Sequence, residues 1–455
     1  MSSLSWGGPH GPQPAPGPAR CLQGFGCSKE RRVQGDPRGP GVPPHPAAVA
    51  VLLVLARSVF AQAYLSNLPL DHPAVQYRGG VLDNPVSQLS QLLASGKTAL
   101  EFREGSLGYL PSLLEHLGVN SDSQALVFSK TSFQASKIGP RNPRAIYFND
   151  EVAVGWVRGG DGIEVAALDP RQGIVFYTLN AAPSGKPALT RREECLRCHQ
   201  GAATLGVPGI FVGSVFPDSS GMPSRLGAII TDHRTPFADR WGGWYVNAVH
   251  GEQPDRANSI AADPAEPQVL NTAGRQNLRT LIREFNTDGY LAAVSDIVAL
   301  MTFEHQTQMT NLLTRVGWEA RLGLAFDADI EAAVEYMLFA DEAPLREPVE
   351  GVSSFSKTFP QRGPRDRQGR GLRDFDLQTR LFRYPLSYMV YSPAFDALPD
   401  TVRDRIYRRL YDVLTKRDQS GKFANLSASD RRNILEILRD TKPNLPNYWQ
   451  VAGDR

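Results

Sequence analysis

Between Ala125 and Leu179 the chain repeats one pattern, a short apolar run followed by a turn composition. The runs are Ala125-Leu126-Val127-Phe128, Ala145-Ile146-Tyr147-Phe148, Val152 to Val157, Gly162 to Leu168 and Ile174 to Leu179. Arg158-Gly159-Gly160-Asp161 separates the third run from the fourth, and Asp169-Pro170-Arg171-Gln172-Gly173 the fourth from the fifth. Both are hairpin-turn compositions, in which glycine supplies the backbone angles that a tight reversal needs. Short strands at this spacing predict an antiparallel sheet or small sandwich.

The flanks read differently. Residues 64–125 are mixed and mainly helical, with short helices expected at Ser87 to Leu93 and Leu110 to Leu117; Pro111 suits a first helical turn. Residues 181–265 are rich in glycine and proline and read as loops, where function tends to sit on a scaffold. Residues 275–345 read as helical, with one strongly periodic helix from Leu291 to Val316. Residues 396–441 are helical again, with Asp400 as the expected N-cap and Arg403, Arg405, Arg408 and Arg409 on a solvated face. Lys357 to Arg373 reads as an exposed polar loop. The fold class expected is α+β: a small antiparallel β region, then a loop region bearing the distinctive residues, then a mainly helical C-terminal half. The expected divisions are 1–63, 64–265 and 266–455.

Residues 1–46 are rich in Gly and Pro without helical or strand periodicity, a composition that cannot bury a core and is expected to be disordered. An apolar run from Ala47 to Ala56 follows, far short of the roughly 18 residues a membrane span needs. Arg31, Arg32 and Arg38 precede it and Ala61-Gln62-Ala63 follows, so 1–63 reads as a leader ending in a signal peptide cleaved near Ala63. The protein is expected in the periplasm or otherwise exported, without a membrane span. Cleavage removes Cys21 and Cys27, and six of the 49 basic residues against two of the 47 acidic ones. The resulting near-neutrality argues against a nucleic-acid partner, which calls for a basic excess or patch.

The two cysteines left are Cys195 and Cys198, in Glu194-Cys195-Leu196-Arg197-Cys198-His199. Cys-x-x-Cys-His is the spacing of covalent haem attachment. Two thiols three positions apart reach the two vinyl groups on one porphyrin edge, and the next residue swings its imidazole under the ring to ligate iron. A zinc site normally needs four ligands, and this motif with His233 gives one Cys2His2 alternative. A thioredoxin-like disulfide calls for a helix start after a strand in a βαβ unit, whereas this motif follows an antiparallel region.

The motif resembles that of c-type cytochromes, and the wider chain resembles large bacterial proteins carrying a cytochrome c domain. The stretches behind the wider resemblance are Phe128 to Ser132, Pro143 to Asp150, Cys195 to His199, Asp232-His233-Arg234, Arg240 to Tyr245, Glu304-His305-Gln306 and Arg383-Tyr384-Pro385. The resemblance implies one covalent haem c per chain on Cys195, Cys198 and His199, with electron transfer to a redox partner protein. A peroxidase-like haem oxidoreductase is the alternative, and a zinc-binding or structural protein the next. Small soluble cytochromes c carry an axial Met some tens of residues beyond the motif, but here the next are Met222 and Met301. A haem loop embedded in a larger α+β protein is therefore expected.

For the sixth iron ligand the sequence points to His305. Stepping by four from Met301 gives His305 and then Met309, which puts His305 on the apolar stripe of its helix. A buried imidazole must be hydrogen-bonded or bound to something. Met301, Met309 and His250 are its rivals. His233, in a turn-like run, is expected to cap or hydrogen-bond. Arg225, Arg234 and Arg240 are candidates to pair with the haem carboxylates.

Overall fold

The structure is a computed structural model that describes residues 66–180 and 186–450. The expectations for the leader and its cleavage site lie outside the described residues. The molecule is an α+β mix: a seven-stranded antiparallel sheet, a two-stranded hairpin and a helical C-terminal half.

The strands of the large sheet are β1 (Ala125–Val127), β2 (Arg144–Phe148), β3 (Val152–Trp156), β4 (Gly162–Asp169), β5 (Gly173–Asn180) and β6 (Leu189–Arg191). β7 (Val212–Ser214) and β8 (Ile229–Thr231) form the separate hairpin, and β9 (Trp244–Tyr245) returns to pair with β1. The order across the large sheet is β6-β5-β4-β3-β2-β1-β9. The five runs read from the sequence are β1 to β5; β6 to β9, two or three residues each, lie in the stretch 181–265 read as loops.

Register divides the sheet into two unlike faces. Val154, Val165 and Tyr177 stand opposite one another, as do Val152, Ala167 and Val175, and this face is buried. The other face carries Gly155, Glu164, Thr178 and Thr190 in one row, and Ala153, Ala166 and Phe176 in the next. Apart from the buried Phe176, side chains there are small or polar and largely half-buried.

The helices are α1 (Pro85–Ala94), α2 (Leu110–His116), α3 (Leu196–His199), α4 (Ile297–Leu322), α5 (Asp327–Met337), α6 (Phe355–Thr358), α7 (Pro393–Asp396), α8 (Asp400–Leu414) and α9 (Ala428–Thr441). α1 starts with a capping box on Asn84, and Pro111 does stand in the first turn of α2. α4, 26 residues long, is buried on nearly every side, polar residues included. Among the described residues no helix is long and apolar enough to cross a membrane.

Four expectations are corrected in whole or in part. The helix expected from Leu291 begins only at Ile297, and residues 275–296 run as turns and extended chain. Asp296 explains the start: one carboxylate oxygen accepts the N–H groups of Val298 and Ala299, the other those of Val352 and Ser353. Upstream, the carbonyls of Ala292 and Val294 are held by the Gln124 side chain and so are not free for helix bonds. Asp400 does not cap α8; it is its first residue, behind Pro399, and pairs with Arg403 at 2.5 Å. The basic face of α8 is partly docked, with Arg405 on Asp327 and Arg409 on Glu331 of α5. Lys357 to Arg373 is an exposed loop only in its middle, at Arg365, Arg367 and Gln368; Phe359 and Leu372 are buried, and the buried Arg373 pairs with Asp150 and lies over the rings of Phe359 and Tyr388.

Candidate haem-attachment site

Cys195, Cys198 and His199 share one turn of helix just after β6. Cys195 has helical backbone angles, and the His199 N–H donates to the Cys195 carbonyl at 3.0 Å. Positions three and four apart on a helix share a face, so the turn sets both thiols and the imidazole on one side. Both thiols are free, Cys195 half-buried and Cys198 exposed.

His199 is held in one tautomer. Its Nδ1 lies 3.0 Å from the Gly209 carbonyl oxygen, which can only accept, so Nδ1 carries the proton and Nε2 presents a lone pair. The Gly209 N–H returns a bond to the His199 carbonyl at 2.9 Å. Among the described residues Nε2 has no hydrogen-bond partner. The ring packs between Phe176 and Phe211, at centroid distances of 5.0 and 5.5 Å. Burial pushes its pKa down to about 4, so the imidazole is neutral at pH 7, the form that ligates a metal. The Cys195 thiol is pushed up to about 11, first by burial and then by Glu164 and Glu194. A redox disulfide motif depends on a depressed thiol pKa, and this environment does the reverse.

The surroundings offer an apolar wall and a cleft. By register, Phe211, Gly213, Ala228 and Ile230 lie on one side of the β7–β8 hairpin. Ile229 and Ile230 are more than one-third exposed, and Leu226 and Met222 more than half. Beside Cys195 a cleft of about 560 Å³ opens over the polar row of the sheet, lined by Phe133, Glu164, Thr178, Arg192 and Glu194 among others. In that row the Arg144 guanidinium lies flat on Gly155, paired with Glu164 at 2.5 Å; a Cβ on Gly155 would stand 2.2 Å from one guanidinium nitrogen.

The other residues singled out in the sequence lie elsewhere. His305 faces inward, as its stripe requires, and is fully buried, but both ring nitrogens are engaged. Nδ1 is 2.9 Å from Nδ1 of His233 and Nε2 is 2.7 Å from the Ser387 hydroxyl, with Tyr336 and Phe339 stacked on the ring. In this arrangement neither nitrogen is open to iron. His233 is the partner that the stripe could not name. It is buried and caps nothing; Asp232 does the capping, accepting the Arg234 N–H. His233 is thus engaged with His305 rather than with Cys195, Cys198 and His199. Among the described residues no three His, Cys, Asp or Glu side chains are grouped to hold a metal ion, so the structure does not assemble the Cys2His2 set. His250 is buried with Nε2 3.2 Å from Asp255, and Met301 and Met309 are buried within α4. Arg240 is spent on the buried Glu304 at 3.3 Å and Arg234 on Asp232 at 2.6 Å, while Arg225 is exposed.

Sequence reasoning missed Gly209, Phe176 and Phe211, the residues that orient His199. Their distance from the motif along the chain hides them; Gly209 in a Gly- and Pro-rich stretch was the one local signal. Set against protein-family models, curated proteins and solved structures, the chain matches none of them.

Proposed function

We propose that the protein is an exported c-type haem protein that transfers electrons, with the haem attached at Cys195 and Cys198 and ligated by His199. The observation that carries this reading is the state of His199. Its Nδ1 proton is committed to the Gly209 carbonyl, its ring is neutral, and Nε2 stands unengaged one helical turn from two free thiols. Metal-ligating histidines are held in this way, the other ring nitrogen donating to a carbonyl that fixes tautomer and orientation.

The residues present fit the group. The two thiols supply the attachment points, Phe211 and Ile230 of β8 an apolar surface, and Arg192 in the cleft beside Cys195 a cation for carboxylates. Bound there, the haem supplies one-electron chemistry at a potential set by its ligands and their hydrogen bonds. Gly209 fixes the direction of the His199 lone pair, and Phe176 and Phe211 hold the ring plane. The single protein nitrogen needed at this position is present, whereas a zinc site needs further ligands that the structure holds apart.

The test is expression with the cytochrome c maturation machinery, then haem staining after denaturing electrophoresis. A stained band is expected for the wild type and none for the Cys195→Ala, Cys198→Ala double variant. Failure of the wild type to stain overturns the reading. Export is tested by N-terminal sequencing of the mature protein, with processing expected near Ala63.

A further inference from the structure

We infer that Asn311, on α4, is a positioning residue for His199, acting through the Gly209–Ile210 segment. The inference rests on the reading of His199 as the iron ligand and adds a residue that the attachment motif does not contain.

The direction of the His199 lone pair follows the Gly209 carbonyl, so whatever fixes that peptide fixes the ligand. Asn311 is fully buried, and its carboxamide touches the residues on either side of that peptide, with one hydrogen bond and one close contact. Nδ2 donates to the Ile210 carbonyl at 3.0 Å. Oδ1 is pressed against Gly209, where a Cβ would lie 2.1 Å away. That oxygen is buried without a hydrogen-bond partner. The contact requires glycine at 209: any side chain there would displace the Asn311 carboxamide. The same helix secures the segment further back, with the Arg315 guanidinium donating to the Leu205 carbonyl at 2.6 Å. From the sheet, the Ile174 N–H donates to the Pro208 carbonyl at 3.1 Å. The loop behind the imidazole is thus bolted to α4, and Asn311 is the bolt nearest His199.

Releasing that peptide weakens its acceptance of the His199 Nδ1 proton. The imidazole then donates less electron density through Nε2, and the ferric state loses more than the ferrous. Outer partners of this kind change metal sites without touching the metal.

The experiment compares the haem-loaded wild type with Asn311→Ala, Asn311→Leu and Phe303→Leu. Asn311→Leu keeps the size and removes the donor without adding a charge. Phe303→Leu weakens core packing on the same helix, where the Phe303 ring meets Phe148 at 4.6 Å. Haem attachment is read by staining, the midpoint potential by redox titration, and the His199 Nδ1–H by ¹⁵N NMR on the reduced protein. Both Asn311 variants are expected to retain covalent haem and to raise the potential by a threefold to tenfold gain in ferrous over ferric haem. Tenfold is about 59 mV for one electron. Their His199 Nδ1–H signal should move, whereas Phe303→Leu should lower thermal stability and leave both readouts in place. Haem attached, with potential and Nδ1–H signal unchanged in both Asn311 variants, overturns the inference alone. A parallel shift in Phe303→Leu also overturns it, because general destabilisation would then explain the effect. Absence of haem from the wild type overturns the proposed function and this inference with it.

Discussion

The buried imidazole pair offers a test whose sign and size follow from the structure. His305 is fully buried, and burial pushes its pKa from 6.5 down to about 3. Burial also pushes His233 well below its ordinary value, helped by His305, Arg234 and Arg240. In the folded protein His305 is therefore neutral down to about pH 3, while in the unfolded chain it takes up a proton as the pH falls through 6.5. The unfolded state binds more protons over this window, so its contribution to stability is present above 6.5 and is lost as the pH falls towards 3. At pH 5 the loss is about 2 kcal/mol, from about 1.4 kcal/mol per unit over one and a half units. Buried carboxyls act in the opposite sense: burial pushes Glu304 and Glu342 up to about 7, and they stabilise the fold as the pH falls. The wild-type profile alone is therefore uninformative, and the difference from a variant isolates the histidine. His305→Gln removes the titration and keeps an amide that can face His233 and Ser387. Lost stacking on Tyr336 and Phe339 and imperfect hydrogen bonds should cost about 2–4 kcal/mol at pH 7. Urea unfolding at pH 7 and pH 5 measures the gap, which should shrink by about 2 kcal/mol at the lower pH. An equal gap at both values would refute the assignment of His305 as a neutral buried group.

The same variant also bears on the iron: with both His305 nitrogens engaged inside the core, His305→Gln is expected to leave the Soret and visible bands in place, as absorption spectra of the folded, haem-loaded protein will show. Gly155→Ala should lower stability by about 1–3 kcal/mol, because the new Cβ lifts the Arg144 guanidinium from the sheet; in an Arg144→Ala background the same change should be neutral or stabilising, so a cost of equal size in both thermal melts would discard the argument. Asp296→Ala leaves four backbone N–H groups without their acceptor and should cost about 3–5 kcal/mol, the sum of a lost helix cap and two further orphaned donors. A loss below about 1 kcal/mol by urea unfolding would show that water replaces the carboxylate.

What the sequence revealed follows from how far each signal reaches along the chain. The five hairpin-linked strands are written locally, in runs bounded by Gly159-Gly160 and by Asp169 to Gly173, and the structure places β1 to β5 on them. The attachment motif is equally local: five residues make one helical turn. Apolar periodicity, by contrast, reports direction and not partner. It turned His305 inward, but the side chain waiting there was His233, 72 residues away and read as a turn residue. The same weakness let apolar positions in 291–296 pass for helix, when Asp296 and Gln124 hold that stretch extended. Phe359 was hidden by the polar Arg- and Gly-rich company it keeps, and its burial and its stacking on Phe375 show that end of the segment to be core.

The orientation of His199 is the hardest case, and it shows why a motif defines a bond but not its strength. The nitrogen that would meet iron is aimed by Gly209, ten residues on, and Gly209 is braced by Asn311, a further hundred residues along. No spacing rule connects those positions. They meet because α4 passes the loop after α3 closely enough for Asn311 to bond Ile210, and that closeness exists because position 209 carries no side chain. A chain keeping Cys195, Cys198 and His199 but bearing alanine at 209 would still satisfy the attachment signature. Its Asn311 carboxamide would be displaced, the carbonyl at 209 would lose that brace, and the hydrogen bond to the His199 Nδ1 proton would weaken with it.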